Sequence, residues 1–185
     1  MIGNQIASLY GIPYIAPTGN FESIATITAA GSSSVTFSSI PSTYKHLQIR
    51  GMANNGETSS WNNQGMQING ITSAVYSFHV LYGDGASVGA IPGYSNTKIN
   101  DAFRIPPAST GVFGVVIMDF LDYTNTNKYK TIRTLDGGDG NGNGWISLAS
   151  GLYQQTTAIS SITLISSSGN FGTGSQFALY GIKGA

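Results

Sequence analysis

From Phe21 onward, apolar and polar residues alternate in short runs with a period of two, as strands with one buried and one wetted face require. The pattern predicts strands over 23–28, 35–37, 47–50, 65–68 and 75–82, and again over 112–123, 128–135, 145–148, 159–165 and 176–182. Between these two sets, residues 83–111 read as loop, with Pro92, Pro106 and Pro107, apart from a short strand at 102–105. Asn69-Gly70 follows an apolar run and precedes Ile71, which predicts a hairpin turn with both residues at positive φ. The stretch 112–123 is the most apolar, with large side chains in both phases, and is expected to be central. No amphipathic helix and no fixed-period repeat is visible. These segments, about ten short strands separated by Gly, Asn and Ser turns, predict an all-β chain. The expected fold is a single antiparallel β-sandwich, jelly-roll-like.

Residues 1–20 follow another pattern. Ile2, Ile6, Leu9, Tyr10, Ile12, Tyr14 and Ile15 are apolar, but Gly3, Gly11, Pro13 and Pro17 interrupt them too often for a helix. So short an apolar stretch cannot make its own core. It is expected to be an extended N-terminal arm that lies across the domain's own sheet or docks on a partner, and residues 21–185 are assigned to the sandwich. The arm holds no Lys or Arg, so it lacks the basic start of a secretory signal.

Composition sharpens this. Gly 25, Ser 23, Thr 17 and Asn 14 dominate the 185 residues, whereas charged residues make only 9% and cancel to a formal charge of zero. No surplus of cations exists to displace counterions from nucleic acid or to hold an anionic membrane. There is no cysteine, which excludes disulfides and thiolate metal sites. A surface solvated by hydroxyls and amides is readily buried against another subunit, because few ions need desolvating. An assembly protein is the expectation, with no nucleic acid and no membrane insertion.

Candidate chemistry is sparse. His46 and His79 are the only histidines, and Glu22 and Glu57 the only glutamates. Asp119 and Asp122 fall near one strand end, where carboxylates commonly cap loops. No nucleotide-binding glycine loop occurs, no catalytic residue is assigned and no cofactor is expected. Asp139, Asn141 and Asn143, followed by Gly144, match the first half of a calcium loop, but the twelfth position is Ser150 where a bidentate Glu belongs. Trp61, in a loop rich in Asn and Ser, and Tyr94 are candidate glycan contacts, the ring stacking on a sugar while amides bond its hydroxyls.

The segments 37–47, 68–70 and 174–182 resemble those of small virion proteins of tailed bacteriophages, which are likewise β-rich, poor in charge and cysteine, and rich in Gly, Ser, Thr and Asn. The resemblance implies a structural role in a virion, often as a homotrimer. It carries no catalytic residue over. Head decoration, in which the protein cements neighbouring major capsid subunits, is the first expectation. A tail-fibre or receptor-binding component, docked on tail or baseplate proteins and touching host surface glycan, is the alternative. The absence of collagen-like or heptad repeats favours the compact, decorating role.

Overall fold

The computed structural model describes residues 19–29, 31–56 and 60–184. Among them lie twelve strands: β1 Phe21–Ala29, β2 Ser34–Phe37, β3 His46–Ala53, β4 Asn62–Ile68, β5 Tyr76–Gly83, β6 Val88–Asn96, β7 Ile99–Ile105, β8 Gly114–Leu121, β9 Lys130–Asp139, β10 Gly144–Tyr153, β11 Ile162–Ser166 and β12 Ser175–Ile182. A single 3-10 turn, Ala108–Thr110, is the only helical element among the described residues. The all-β prediction holds. An eight-stranded sheet, in the order β1-β12-β3-β8-β9-β10-β5-β6, packs on a four-stranded one, β2-β11-β4-β7.

With the hairpins β5–β6 and β9–β10 set aside, the remaining eight strands nest like a folded ribbon. First pairs with last (β1–β12), second with second-last (β2–β11), third with third-last (β3–β8), and the middle two with each other (β4–β7), all antiparallel. This is the jelly roll, in two sheets of four. Both hairpins continue the larger sheet beyond β8, β9 on β8, β10 on β9, then β5 and β6, and double its width.

The core lies between the sheets. Leu47, Ile49, Met118, Phe120, Phe177 and Leu179 from the large sheet meet Phe37, Met66, Ile68, Phe103, Ile162 and Leu164 from the small one, all 2% exposed or less. Phe177 meets Phe103 and Phe171 edge to face at 6.0 and 5.2 Å. Room for the Phe177 ring comes from Gly51 on the neighbouring strand, where a Cβ would lie 2.5 Å from the ring.

Two expectations need correction. Residues 83–111 are not mainly loop: they hold β6 and β7, because Gly89, Pro92 and Gly93 weaken the strand signal of an edge strand that still pairs with β5. Asn69 and Gly70 do form the predicted turn, at φ of 54° and 66°, but it joins no hairpin. Its two flanks enter different sheets, β4 the small one and β5 the large one. The buried Tyr76 fixes that crossing, its hydroxyl accepting from the Ile68 amide at 3.0 Å and lying 3.0 Å from the Ile71 carbonyl. The expected central place of β8 is found, fourth of the eight strands, and the strand is buried on one side only. Val116, Met118 and Phe120 face the core, while Val115, Ile117 and Leu121 face outward, 58, 39 and 57% exposed.

Candidate functional site

The outward phase of the large sheet carries side chains in rows that follow from register. One row runs Ala90, Leu81, Leu148, Leu135, Ile117, Arg50, Ala178, from β6 across to β12. The next, toward the start of β8, runs Val88, Gly83, Ile146, Gly137, Val115, Met52, Gln176. Both are apolar over most of their width, and Leu81, Leu135, Ile146 and Met52 are each more than half exposed. Isolated exposed apolar residues are ordinary, but contiguous patches beyond about 300–600 Å² mark interaction surfaces. Most of this patch rests on the two inserted hairpins and β8.

The row on the other side is polar and binds itself. Arg133 donates to Asp119 at 2.7 Å, Gln48 donates to the same carboxylate at 2.8 Å, and Arg50 donates to Gln48 at 2.8 Å. Partial burial works against the Asp119 charge, but the bonds from Gln48 and Arg133 prevail and hold the carboxyl below its ordinary value. The Arg50 guanidinium also sits 5.0 and 5.8 Å over the rings of Phe21 and Tyr180. Arg133 and Asp119 thus pair within the face, while Arg50, from the first apolar row, is held by Gln48 and the two rings.

A groove of about 720 Å³ opens at the border of the two rows, lined by His79, Leu81, Leu121, Tyr129, Leu148 and Ser150 among others. Its wall is the loop between β8 and β9, held at both ends. Hydrogen bonds from Lys128, at 2.5 Å, and Lys45, at 2.8 Å, keep the Asp122 carboxyl down at about 2. The Lys130 ammonium is buried and donates to the carbonyls of Asn125, Lys128 and Thr156, while burial pulls its pKa down. Asp119 and Asp122 therefore serve separate basic partners and do not form a pair. His46 accepts the Asp122 backbone N–H through Nδ1 at 3.0 Å, and His79 lies edge-on to Tyr94 at 6.3 Å.

The glycan candidates are not brought together. Trp61 packs on Gly138 beside the β9–β10 turn and donates its indole N–H to Asn143 at 3.4 Å. Tyr94 lies next to Gly93, which pairs with Phe78 and through it faces Gly151, six residues along β10 from the Trp145 that pairs with Gly138. That separation is about 20 Å along the strand. Tyr94 is exposed and Trp61 half-buried. The calcium candidates form the β9–β10 turn itself: Asp139 accepts the Asn141 amide at 2.8 Å, Asn141 and Gly142 have positive φ, and Asn143 accepts from Trp61. Among the described residues no three His, Cys, Asp or Glu side chains gather as a metal site needs. Ile2, Ile6, Leu9, Tyr10, Ile12, Tyr14 and Ile15, the candidate docking arm, lie outside the described residues.

Two features escaped the sequence reading. Gly85-Ala86-Ser87-Val88-Gly89 has the Gly-x-Ser-x-Gly spacing of a nucleophile elbow, yet here it turns strand into strand, not strand into helix. Ser87 Oγ bonds Asp84, 3.1 Å from Oδ2, and the Asp84 carboxylate also accepts the Ala86 and Ser87 amides. The second is the outer face itself. Its signal is the surplus of large apolar side chains in both phases of 112–123 and 145–148, more than one buried face needs.

No protein-family model matches the chain, and no curated protein does. A solved structure of infectious bursal disease virus, Gt strain, is 14% identical, covering 92% of this chain and 43% of that chain, at a TM-score of 0.12, which carries no argument. The chain thus spans less than half the length of that viral protein. Among the described residues no helix is long and apolar enough to cross a membrane.

Proposed function

We propose that this chain is a non-enzymatic structural component of a tailed-bacteriophage virion, and that its role is to decorate and cement the capsid. The observation that carries this reading is the outer face of the large sheet, where exposed apolar rows lie beside the Arg133–Asp119 ion pair. Burying these rows on a neighbour removes mostly apolar surface from water, at about 25 cal/mol per Å², and Arg50 keeps its bond to Gln48 and its place over the Phe21 and Tyr180 rings. The twelve-stranded frame supplies a rigid support for it. Tail receptor binding, by contrast, would use an aromatic platform, and Trp61 and Tyr94 stand at opposite ends of β10. Electron microscopy of intact particles, counting copies of this chain, tests the proposal. Hundreds of copies on the shell are expected. A few copies confined to the tail would replace the decorating role with the receptor-binding one, and absence from particles would overturn both.

A further inference from the structure

We infer that the outer apolar face of one molecule receives residues 2–15 of a second copy, so that copies join by exchanging arms. This rests on the reading of residues 1–20 as a docking arm, and it names what the arm docks on.

The first argument is chemical. The face offers two largely apolar rows and a groove of about 720 Å³, with Arg133 and Asp119 beside them paired to each other. Arg50 on β3 is the one charged residue of those two rows, so a strongly charged occupant would find little to pair with along them. Residues 2–15 contain no charged residue, and seven of them are Ile, Leu or Tyr. Few stretches of this length in the chain are so apolar.

The second argument is direction. Phe21 belongs to the row of Ile182, His46 and Leu121, at one end of the large sheet, whereas the apolar rows lie toward the other end of the strands. The carbonyl of Asn20 still accepts the Lys183 amide at 2.9 Å, so the pairing of β1 with the last strand continues up to Asn20. At Asn20 the strand therefore points past the end of the sheet and away from its own apolar rows. To cover them it would have to reverse. To reach a neighbour it need only continue, and fourteen extended residues span up to about 46–50 Å, beyond the roughly 35 Å width of eight strands.

Donor segment and acceptor face are different surfaces, so the contact is head-to-tail and closes into a ring when the rotation between copies permits. The expected trimer is one such ring.

The test is sedimentation velocity of the full chain over a range of concentrations, with two kinds of variant. An arm variant carries Ile6→Asp and Leu9→Asp. The face variants are Leu148→Asp and, separately, Leu81→Asn, so that a folding defect in one leaves the other to report. Circular dichroism and melting temperature confirm that each is folded. The wild type should assemble and each variant should associate at least 100-fold more weakly. An equal mixture of arm and face variants should form a two-chain complex, because one intact arm then meets one intact face. A monomeric wild type, face variants that still assemble, or a mixture that stays monomeric would each overturn the exchange. None of these outcomes bears on whether particles contain the chain, and absence from particles would leave the exchange standing.

Discussion

Glycine at a strand position beneath an aromatic ring recurs in this sheet. Gly51 lies under Phe177 and Gly181 under Tyr44, each so close that a Cβ would fall 2.5 Å or less from ring atoms. A small side chain on one strand thus lets a large one on the next lie flat, which helps a glycine-rich chain keep a filled core. The Gly51→Ala substitution forces the Phe177 ring, 0% exposed, to move within packed surroundings. It should cost about 1–3 kcal/mol by overpacking, read as a lower denaturation midpoint. An unchanged midpoint would show that the ring can shift freely. At this scale the turns were legible and the partners were not. Asn69, Gly70, Asn141 and Gly142 all take positive φ, as their residue types suggested. Which ring covers which glycine, and that Trp61 meets Gly138, depends on cross-strand register that local sequence does not encode.

The element that most depends on pH is the part of the inserted sheet beneath β7. There Asp136 is 2% exposed and accepts the Ser147 hydroxyl at 2.5 Å and the Arg104 backbone amide at 3.2 Å, while the Arg104 guanidinium lies 3.6 Å from the Trp145 ring centre. Burial pushes the Asp136 carboxyl up from 3.8 to about 7, against the hydrogen bonds that favour its anion, and burial also raises Asp101 nearby. A carboxyl raised in the folded chain binds its proton more tightly there than in the unfolded one. Its contribution is therefore fully present below 3.8 and is lost as pH rises through about 7, each unit of displacement being worth about 1.4 kcal/mol. Asp119, Asp122, Asp84 and Glu22 are shifted the other way, so their contributions fall away only in acid, below the ordinary carboxylate value. The melting temperature should thus decline across the window from 3.8 to about 7, and Asp136→Asn should remove most of that slope, leaving the part due to Asp101. A wild-type melting temperature that is level or rising there would refute this. Elements themselves were largely visible in the sequence, since burial of alternate residues is what makes a strand. β6 was missed because Pro92 and two glycines suit an edge, where one side of the backbone needs no partner, and edges carry the weakest alternation.

For the whole molecule, the virion proposal predicts the behaviour of a truncated chain. Deleting residues 2–15 should leave a domain that melts cooperatively, because the described residues already form one continuous core between the two sheets, yet particles should no longer incorporate it. Incorporation at wild-type levels would remove the arm from the mechanism. The sandwich was legible from strand count and turn spacing. That the large sheet is twice the width of the small one was not, because a hairpin inserted between two jelly-roll strands looks locally like any other pair of strands. The nested pairing has one more consequence, which concerns synthesis. β12 lies between β1 and β3, so Phe21 finds its partner only at Ile182. Through most of translation, β1 and the neighbouring edge of β3 wait unpaired, with the hairpins β9–β10 and β5–β6 free to close first. Pairings this distant along the chain close slowly. The nascent protein consequently spends its longest interval with bare strand edges, when premature contact between two unfinished copies is the main hazard to its yield.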